Sequence, residues 1–257
     1  MSQSTKSRAM STPEAWLRLS LGFVWMLGVS ITFLLVALLL LPWRILRVKA
    51  CNIYGTLVGK PLVWIVGART KLYNPERLNP KRPALYVSNH TSTIDMWLGM
   101  WICPMGGVGL AKKEISKVPG IGQLYLLSGH PMIDRSNREK AIATLSEVSR
   151  FVNRNRLSLW IWPEGTRSKD GALQPFKKGF AHMAIACGIP IVPIVVWNAT
   201  AIWPRGPVRL STGDLHVGVL EPIDTSNWTT DNIDNHVNEL RDVFQSALAA
   251  GPPATQG

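Results

Sequence analysis

The sequence predicts an α/β fold: a mostly parallel or mixed central sheet flanked by helices, with an N-terminal membrane-embedded helix or helical hairpin. Three observations predict it. From residue 84 onward, short apolar runs alternate with longer amphipathic ones, the pattern of strands interleaved with helices in a layered fold. Leu19 to Trp43 is a stretch of 25 residues without one charge. The mean hydropathy is +0.10 although the net charge is +12, so the apolar residues are concentrated rather than spread. A chain of 257 residues is one domain, or one domain with a membrane appendage. The expected organisation is a tail over 1–18, a membrane-anchoring helical segment over 19–70, an α/β domain over 71–250 and a flexible tail over 251–257.

The uncharged stretch comes first. As a helix it is about 37 Å long, enough to cross a hydrocarbon core of about 30 Å. A signal peptide is the rival reading, but its apolar core is about 7–15 residues and is followed by small residues, whereas Pro42-Trp43-Arg44 follows here. Trp16 and Trp43 flank the stretch as interfacial anchors do. A weaker apolar stretch, Ile53 to Ala68, is interrupted by Lys60-Pro61. Residues 1–83 hold 12 Lys and Arg against 2 acidic residues, so +10 of the net +12 lies beside the apolar segments. That placement points to anionic lipid headgroups before nucleic acid, and no basic-aromatic interleaving of a nucleic-acid binder is present. Arg44, Arg47 and Lys49 place the C-terminal side in the cytoplasm if the segment spans. Lys6, Arg8 and Arg18 precede it, so a hairpin folded back into one leaflet stays open.

After the turn-forming Asn79 to Pro83, Ala84 to Val87 is a short buried strand and Ile94 to Ile102 a helix. Asn137 to Asn153 is an amphipathic helix, Leu157 to Trp162 a strand, and Phe176 to Cys187 a helix ended by Gly188. Ile189 to Trp197 is a strand interrupted by Pro190 and Pro193, Leu215 to Leu220 another strand, and Asp231 to Ala249 a terminal helix. Cys51, Cys103 and Cys187 lie far apart, which supports neither a disulfide framework nor a structural zinc site.

Three stretches carry chemistry. Ser88 to Asp95 follows a buried strand, where open α/β sheets place ligand sites. Ser92 with Asp95 three residues on is a helix-capping pattern, and the turn brings His90 within reach of the Asp95 carboxylate. A carboxylate so placed fixes the imidazole tautomer and stabilises the imidazolium formed when the other nitrogen takes a proton. The alternative is a capping acid beside a polar loop histidine. In Trp160 to Ser168, Glu164 offers acceptors to hydroxyls, Gly165 a close backbone approach and Arg167 a planar fork for phosphate. Gly129 to Arg135 is again apolar and then charged, with Arg135 a candidate anion contact. Lys112 and Lys113 are ambiguous on pattern alone. His182, His216 and His236 have no motif around them and are structural or surface residues.

Together these stretches resemble the glycerolipid acyltransferase family, in particular its bacterial 1-acyl-glycerol-3-phosphate acyltransferases. Asn89, His90, Ser92 and Asp95 match its first block, Met132-Ile133-Asp134-Arg135 its second, and Pro163 to Ser168 its third, with Trp162 where the family has Phe. Ile191 to Ile194 looks like its fourth, and Lys112-Lys113-Glu114 and Phe176 to Gly179 also fit. His130-Pro131 departs from the usual second block. The resemblance implies transfer of a fatty acyl group from acyl carrier protein or coenzyme A to the sn-2 hydroxyl of lysophosphatidic acid, giving phosphatidic acid. It implies His90 as general base and Asp95 as its partner, with no acyl-enzyme, no cofactor and no metal. Glu164, Gly165, Thr166 and Arg167 would hold the glycerol phosphate, with Arg135, Lys112 and Lys113 as further phosphate contacts. The expected partners are membrane lipids and the two substrates, with no nucleic acid, and the expected place is the cytoplasmic face of the inner membrane. Another acceptor (glycerol 3-phosphate or another lysolipid) and an inactive membrane scaffold are the alternatives.

Overall fold

Ser11 starts the first long helix by accepting the Glu14 N–H at its hydroxyl, and the helix then runs through the uncharged stretch as far as Leu39, where a turn ends it. The computed structural model describes residues 7–78, 83–117, 121–133, 138–206 and 208–253. A short strand, β1 (Arg8–Ala9), precedes that helix, α1 (Thr12–Leu39), and a turn leads into α2 (Arg44–Ile65). The two helices form an antiparallel hairpin. Arg18 donates to Ile65 O at 2.9 Å, Trp25 Nε1 to Leu57 O at 2.9 Å, and the Ser30 and Tyr54 hydroxyls lie 2.9 Å apart. Pro61 does not break α2. Its missing N–H would have paired with Leu57 O, and the Trp25 indole supplies that bond instead.

The other face of α2 belongs to the α/β body. A Cβ on Gly55 would stand 2.6 Å from Met100 O, and one on Gly59 2.3 Å from Trp97 O, so this four-residue glycine spacing lets two helices touch backbone to backbone. Asn52 donates to Gly107 O at 2.9 Å and accepts the Gly106 N–H at 2.8 Å. The hairpin is therefore not a separate segment ending at residue 70. Its inner helix lines the core, and residues 8–18, expected as tail, form β1 and the start of α1. Gly59→Ala should lower stability by about 1–3 kcal/mol, seen as a melting temperature several degrees lower, because overpacking against backbone outweighs the gain of about 1 kcal/mol in helix propensity. Gly28→Ala, with nothing within 4 Å, should show no loss.

The body follows as β2 (Ala68–Tyr73), β3 (Leu85–Ser88), α3 (Ile94–Ile102), β4 (Gly107–Gly109), β5 (Ala111–Lys112), α4 (Ile121–Leu127), β6 (Met132–Ile133), α5 (Arg138–Asn155) and β7 (Ser158–Ile161). It continues through α6 (Gly179–Cys187), β8 (Ile191–Trp197), α7 (Ala199–Ile202), β9 (Ser211–Val219) and α8 (Ile233–Ala250). Among the described residues the main sheet has the order β1-β9-β8-β3-β7-β4, with β2 also paired to β9 and a separate β5–β6 ribbon. β8, β3, β7 and β4 are parallel, while β9 runs antiparallel to β8. Alternate strand residues feed two cores. Leu85, Val87, Leu159 and Val195 pack toward α5, α6 and α8, whereas Tyr86, Trp160, Val192 and Ile194 pack toward α2, α3 and α7.

The expected interruption of the Ile189–Trp197 strand is absent at Pro193. Its missing N–H faces away from β3, on the edge where Leu220 donates to Pro193 O, so the β3–β8 ladder loses nothing. Gly188 ends α6 in the left-handed conformation at φ +61°, as expected.

Candidate active site

The site is built where two neighbouring parallel strands end. Val87 of β3 lies opposite Ile161 of β7, so the loops that leave them run side by side. His90 and Glu164 each sit three residues beyond that pair, and the His90 N–H donates to Glu164 Oε1 at 2.6 Å. The Ser168 N–H closes the same contact from the other direction, donating to His90 O at 2.9 Å. On the other side, the Asn89 amide accepts the Val196 N–H at 2.8 Å and donates to Val196 O at 3.0 Å. A side chain thereby continues the β3–β8 ladder one position past its backbone, freeing the chain to turn.

That turn brings the predicted pair together. His90 Nδ1 lies 3.1 Å from Asp95 Oδ2, and the same oxygen accepts the N–H groups of Thr91 and Ser92 at 2.7 Å each. In a neutral imidazole so placed, the nitrogen facing the carboxylate is the one suited to donate, an arrangement that leaves the other nitrogen able to accept. Asp95 is 2% exposed in its side chain and His90 11%, which leaves the histidine as the member of the pair that reaches the surface. Trp162 stacks on the imidazole at 4.7 Å and 22° and holds its plane. Ser92 does not occupy the N-cap, which is Thr93. Its hydroxyl donates to Trp203 O at 2.6 Å and accepts the Ile94 N–H at 3.2 Å, pinning the turn against the segment after β8.

Glu164 holds two loops together. It is 1% exposed, and its second oxygen, Oε2, accepts the Gln174 N–H at 2.9 Å. Burial pushes its carboxyl up to about 7, against the pull of two backbone donors. Because the folded value is raised, this group favours folding most below about pH 4.5, and that contribution is lost as pH rises to about 7. Gly165 takes φ +71°, a conformation that favours glycine, and its N–H returns to Trp162 O. Thr166 is exposed.

Arg167 turns back toward the first block, where its Nη1 donates to Thr93 Oγ1 at 2.5 Å, and Arg205 donates to Arg167 O at 2.8 Å. A guanidinium is thus brought within one turn of Asp95. Lys112 is in register with Ile133 in the β5–β6 ribbon, and Lys113 is exposed on the short 3-10 turn Lys113–Lys117 that follows. Arg135 and the Lys112 side chain lie outside the described residues. His130, at the departure from the family pattern, accepts the Gly109 N–H at 3.2 Å, and burial lowers its imidazole to about 4. His216 meets the Tyr73 hydroxyl at 2.8 Å on β9, and His236 meets Glu239 at 2.7 Å on α8.

Sequence reasoning missed Thr93, Gln174, Trp203 and Arg205. Thr93 stood inside the first block and was overlooked. The other three contribute through backbone atoms or a distant loop, and no spacing rule announces them. Among the described residues, no group of three His, Cys, Asp or Glu is placed to hold a metal ion.

Residues 69–197 match the family model described as Acyltransferase, half of the chain. The chain is 42% identical over 228 residues to the 1-acyl-sn-glycerol-3-phosphate acyltransferase of Limnanthes douglasii, covering 89% of this chain and 80% of that protein. It is 35% identical over 196 residues to the protein of the same name from Escherichia coli, covering 76% and 79%. The fold is similar to the crystal structure of the 1-acyl-sn-glycerophosphate acyltransferase of Thermotoga maritima, with a TM-score of 0.62 at 20% identity over 91% of this chain and all of the other.

Proposed function

Because the chain belongs to the 1-acyl-sn-glycerol-3-phosphate acyltransferase family, we propose that it acylates the sn-2 hydroxyl of 1-acyl-glycerol 3-phosphate by direct attack on a fatty acyl thioester. The observation that carries this reading is the 3.1 Å contact between His90 Nδ1 and Asp95 Oδ2. An alcohol is almost wholly protonated at neutral pH and needs a positioned base to become a nucleophile. His90 Nε2 takes the hydroxyl proton as the oxygen attacks the thioester carbonyl. The tetrahedral intermediate then expels the thiolate, which recovers that proton from His90. Phosphatidic acid and the free thiol of coenzyme A or acyl carrier protein are the products. No serine or cysteine is placed as a nucleophile in this scheme, so no acyl-enzyme forms, and no cofactor is required.

Glu164 positions the His90 backbone and Gly165 the turn, while Arg167, Lys112, Lys113 and Arg135 are the cations assigned to the acceptor's phosphate. Thr166 is exposed beside Arg167 and offers a hydroxyl to the same group. Arg167→Ala should raise the KM for lysophosphatidic acid about tenfold or more with kcat little changed, as expected when a charge-assisted contact worth about 1.5–3 kcal/mol is removed. An unchanged KM removes Arg167 from phosphate binding. The broader test is purified protein given labelled acyl donor with lysophosphatidic acid, glycerol 3-phosphate and other lysolipids in turn. Preferential labelling of phosphatidic acid supports the reading, and preferential labelling of another product replaces it.

The hairpin gives the enzyme its membrane. α1 is long and apolar enough to cross a bilayer, yet it lies along α2, whose opposite face is fastened to the α/β body. A spanning α1 would drag that body into the hydrocarbon. We therefore place α1 in one leaflet with its exposed Leu, Val and Trp side chains inward, and the active site on the cytoplasmic side. Cysteine labelling from each side of sealed vesicles tests this, with accessibility from one side only as the expected result.

A further inference from the structure

An open groove lies away from His90 and shares no lining residue with the candidate active site. It is an open cleft of about 1050 Å³ between the start of α2 and α5. Arg44, Arg150 and Arg154 line it, and Glu147 is the one carboxylate on its wall. The Arg44 guanidinium is held in place: it stacks 3.8 Å over the Phe151 ring, and its Nε donates to Gly129 O at 2.9 Å. Three arginines on the wall of one cleft offer charge-assisted donors to an anion, with the Nε of Arg150 also donating to Ser146 O at 3.4 Å. Its rim identifies which kind. Trp43 and Leu46 line the same groove and are exposed, and Leu41 and Leu39 carry the apolar surface onward along the hairpin turn.

We propose that this groove binds the phosphate headgroup of an anionic phospholipid of the surrounding leaflet. The arginines take the phosphate, Trp43 sits at the headgroup level, and the acyl chains continue over the apolar face of the hairpin. This is a lipid site separate from the substrate site, and it fixes the depth and rotation of the protein on the membrane. It rests on the reading of α1 and α2 as a membrane-facing hairpin.

The test is partitioning of the full chain onto phosphatidylcholine vesicles with and without 30 mol% phosphatidylglycerol (about one anionic lipid in three). Binding to the neutral vesicles reports the hairpin, and the ratio between the two vesicle types reports the groove. Arg150→Gln with Arg154→Gln should lower that ratio about 25-fold, at roughly fivefold per basic residue, while neutral binding and turnover in detergent micelles stay at the parent's level. Arg150→Lys with Arg154→Lys should keep most of the ratio, and Glu147→Gln should raise it. A double Gln variant with the parent's ratio overturns the proposal. So does loss of the ratio on adding millimolar inorganic phosphate, which would mark a free-phosphate site. A variant that keeps the ratio but loses saturation by acyl carrier protein would assign the groove to an acidic protein and overturn it too. Failure of all forms to bind neutral vesicles would instead sink the hairpin reading, and the double Gln variant would then be compared with the parent on the anionic vesicles alone, where equal binding overturns the groove as well.

Discussion

His90→Ala is expected to lower kcat/KM for lysophosphatidic acid by roughly 10²- to 10⁴-fold, the range that a positioned general base contributes. The loss should fall on kcat, because the imidazole acts on the hydroxyl only as it attacks, and KM should stay within a few-fold of the parent. Expression, melting temperature and vesicle binding should persist, since the side chain sits on a loop and its removal leaves the His90 N–H to Glu164 bond intact. Steady-state kinetics with labelled thioester, beside a thermal melt, checks both halves. Turnover at the parent's rate would remove His90 from the chemistry.

Asp95→Asn is expected to cost roughly 10²- to 10⁴-fold in kcat with little change in stability. The substitution keeps the shape and leaves an oxygen able to accept the Thr91 and Ser92 N–H groups. What it loses is the charge opposite His90 and the assurance that Nδ1 faces an acceptor. If the amide NH₂ turns toward the ring, the proton moves to Nε2 and the lone pair that should meet the alcohol is gone. Asp95→Ala should be worse, because it strips the two buried N–H groups of their acceptor at about 1–3 kcal/mol each and lets the turn relax. Comparing the two variants by kinetics and by melting temperature separates the electrostatic role of Asp95 from its structural one. Equal activity of Asp95→Asn and parent would contradict the proposed role.

Much of this site was legible in the residues because it is local. His90 and Asp95 stand five positions apart across one turn, and the end of a buried strand is a place where a short-range pattern and a ligand site coincide. Helices were readable for the same reason: those expected over Ile94 to Ile102 and Asn137 to Asn153 stand at Ile94–Ile102 and Arg138–Asn155. What escaped depends on partners distant in sequence. The bonds that let Pro61 stay in a helix and Pro193 in a strand come from Trp25 and Leu220, and no window around either proline contains them. β2, Ala68–Tyr73, alternates charged and apolar residues so weakly that only its pairing with β9 makes it a strand. The structural part of Glu164 was not legible, because its bonds to the His90 and Gln174 N–H groups join loops that no short window contains. The groove beside α5 was invisible for a similar reason. Arg44 and Arg154 are 110 positions apart, and the hairpin alone brings them together.

The central claim is that Asp95 holds the proton on His90 Nδ1 and leaves Nε2 as the free base. ¹⁵N NMR of histidine-labelled protein in micelles, with His90 assigned by comparison with His90→Ala, reads this directly. Neutral His90 should show a protonated Nδ1 and an unprotonated Nε2, and Asp95→Asn should perturb this distribution. A proton found on Nε2 in the parent protein, with Nδ1 bare toward Asp95, would contradict it.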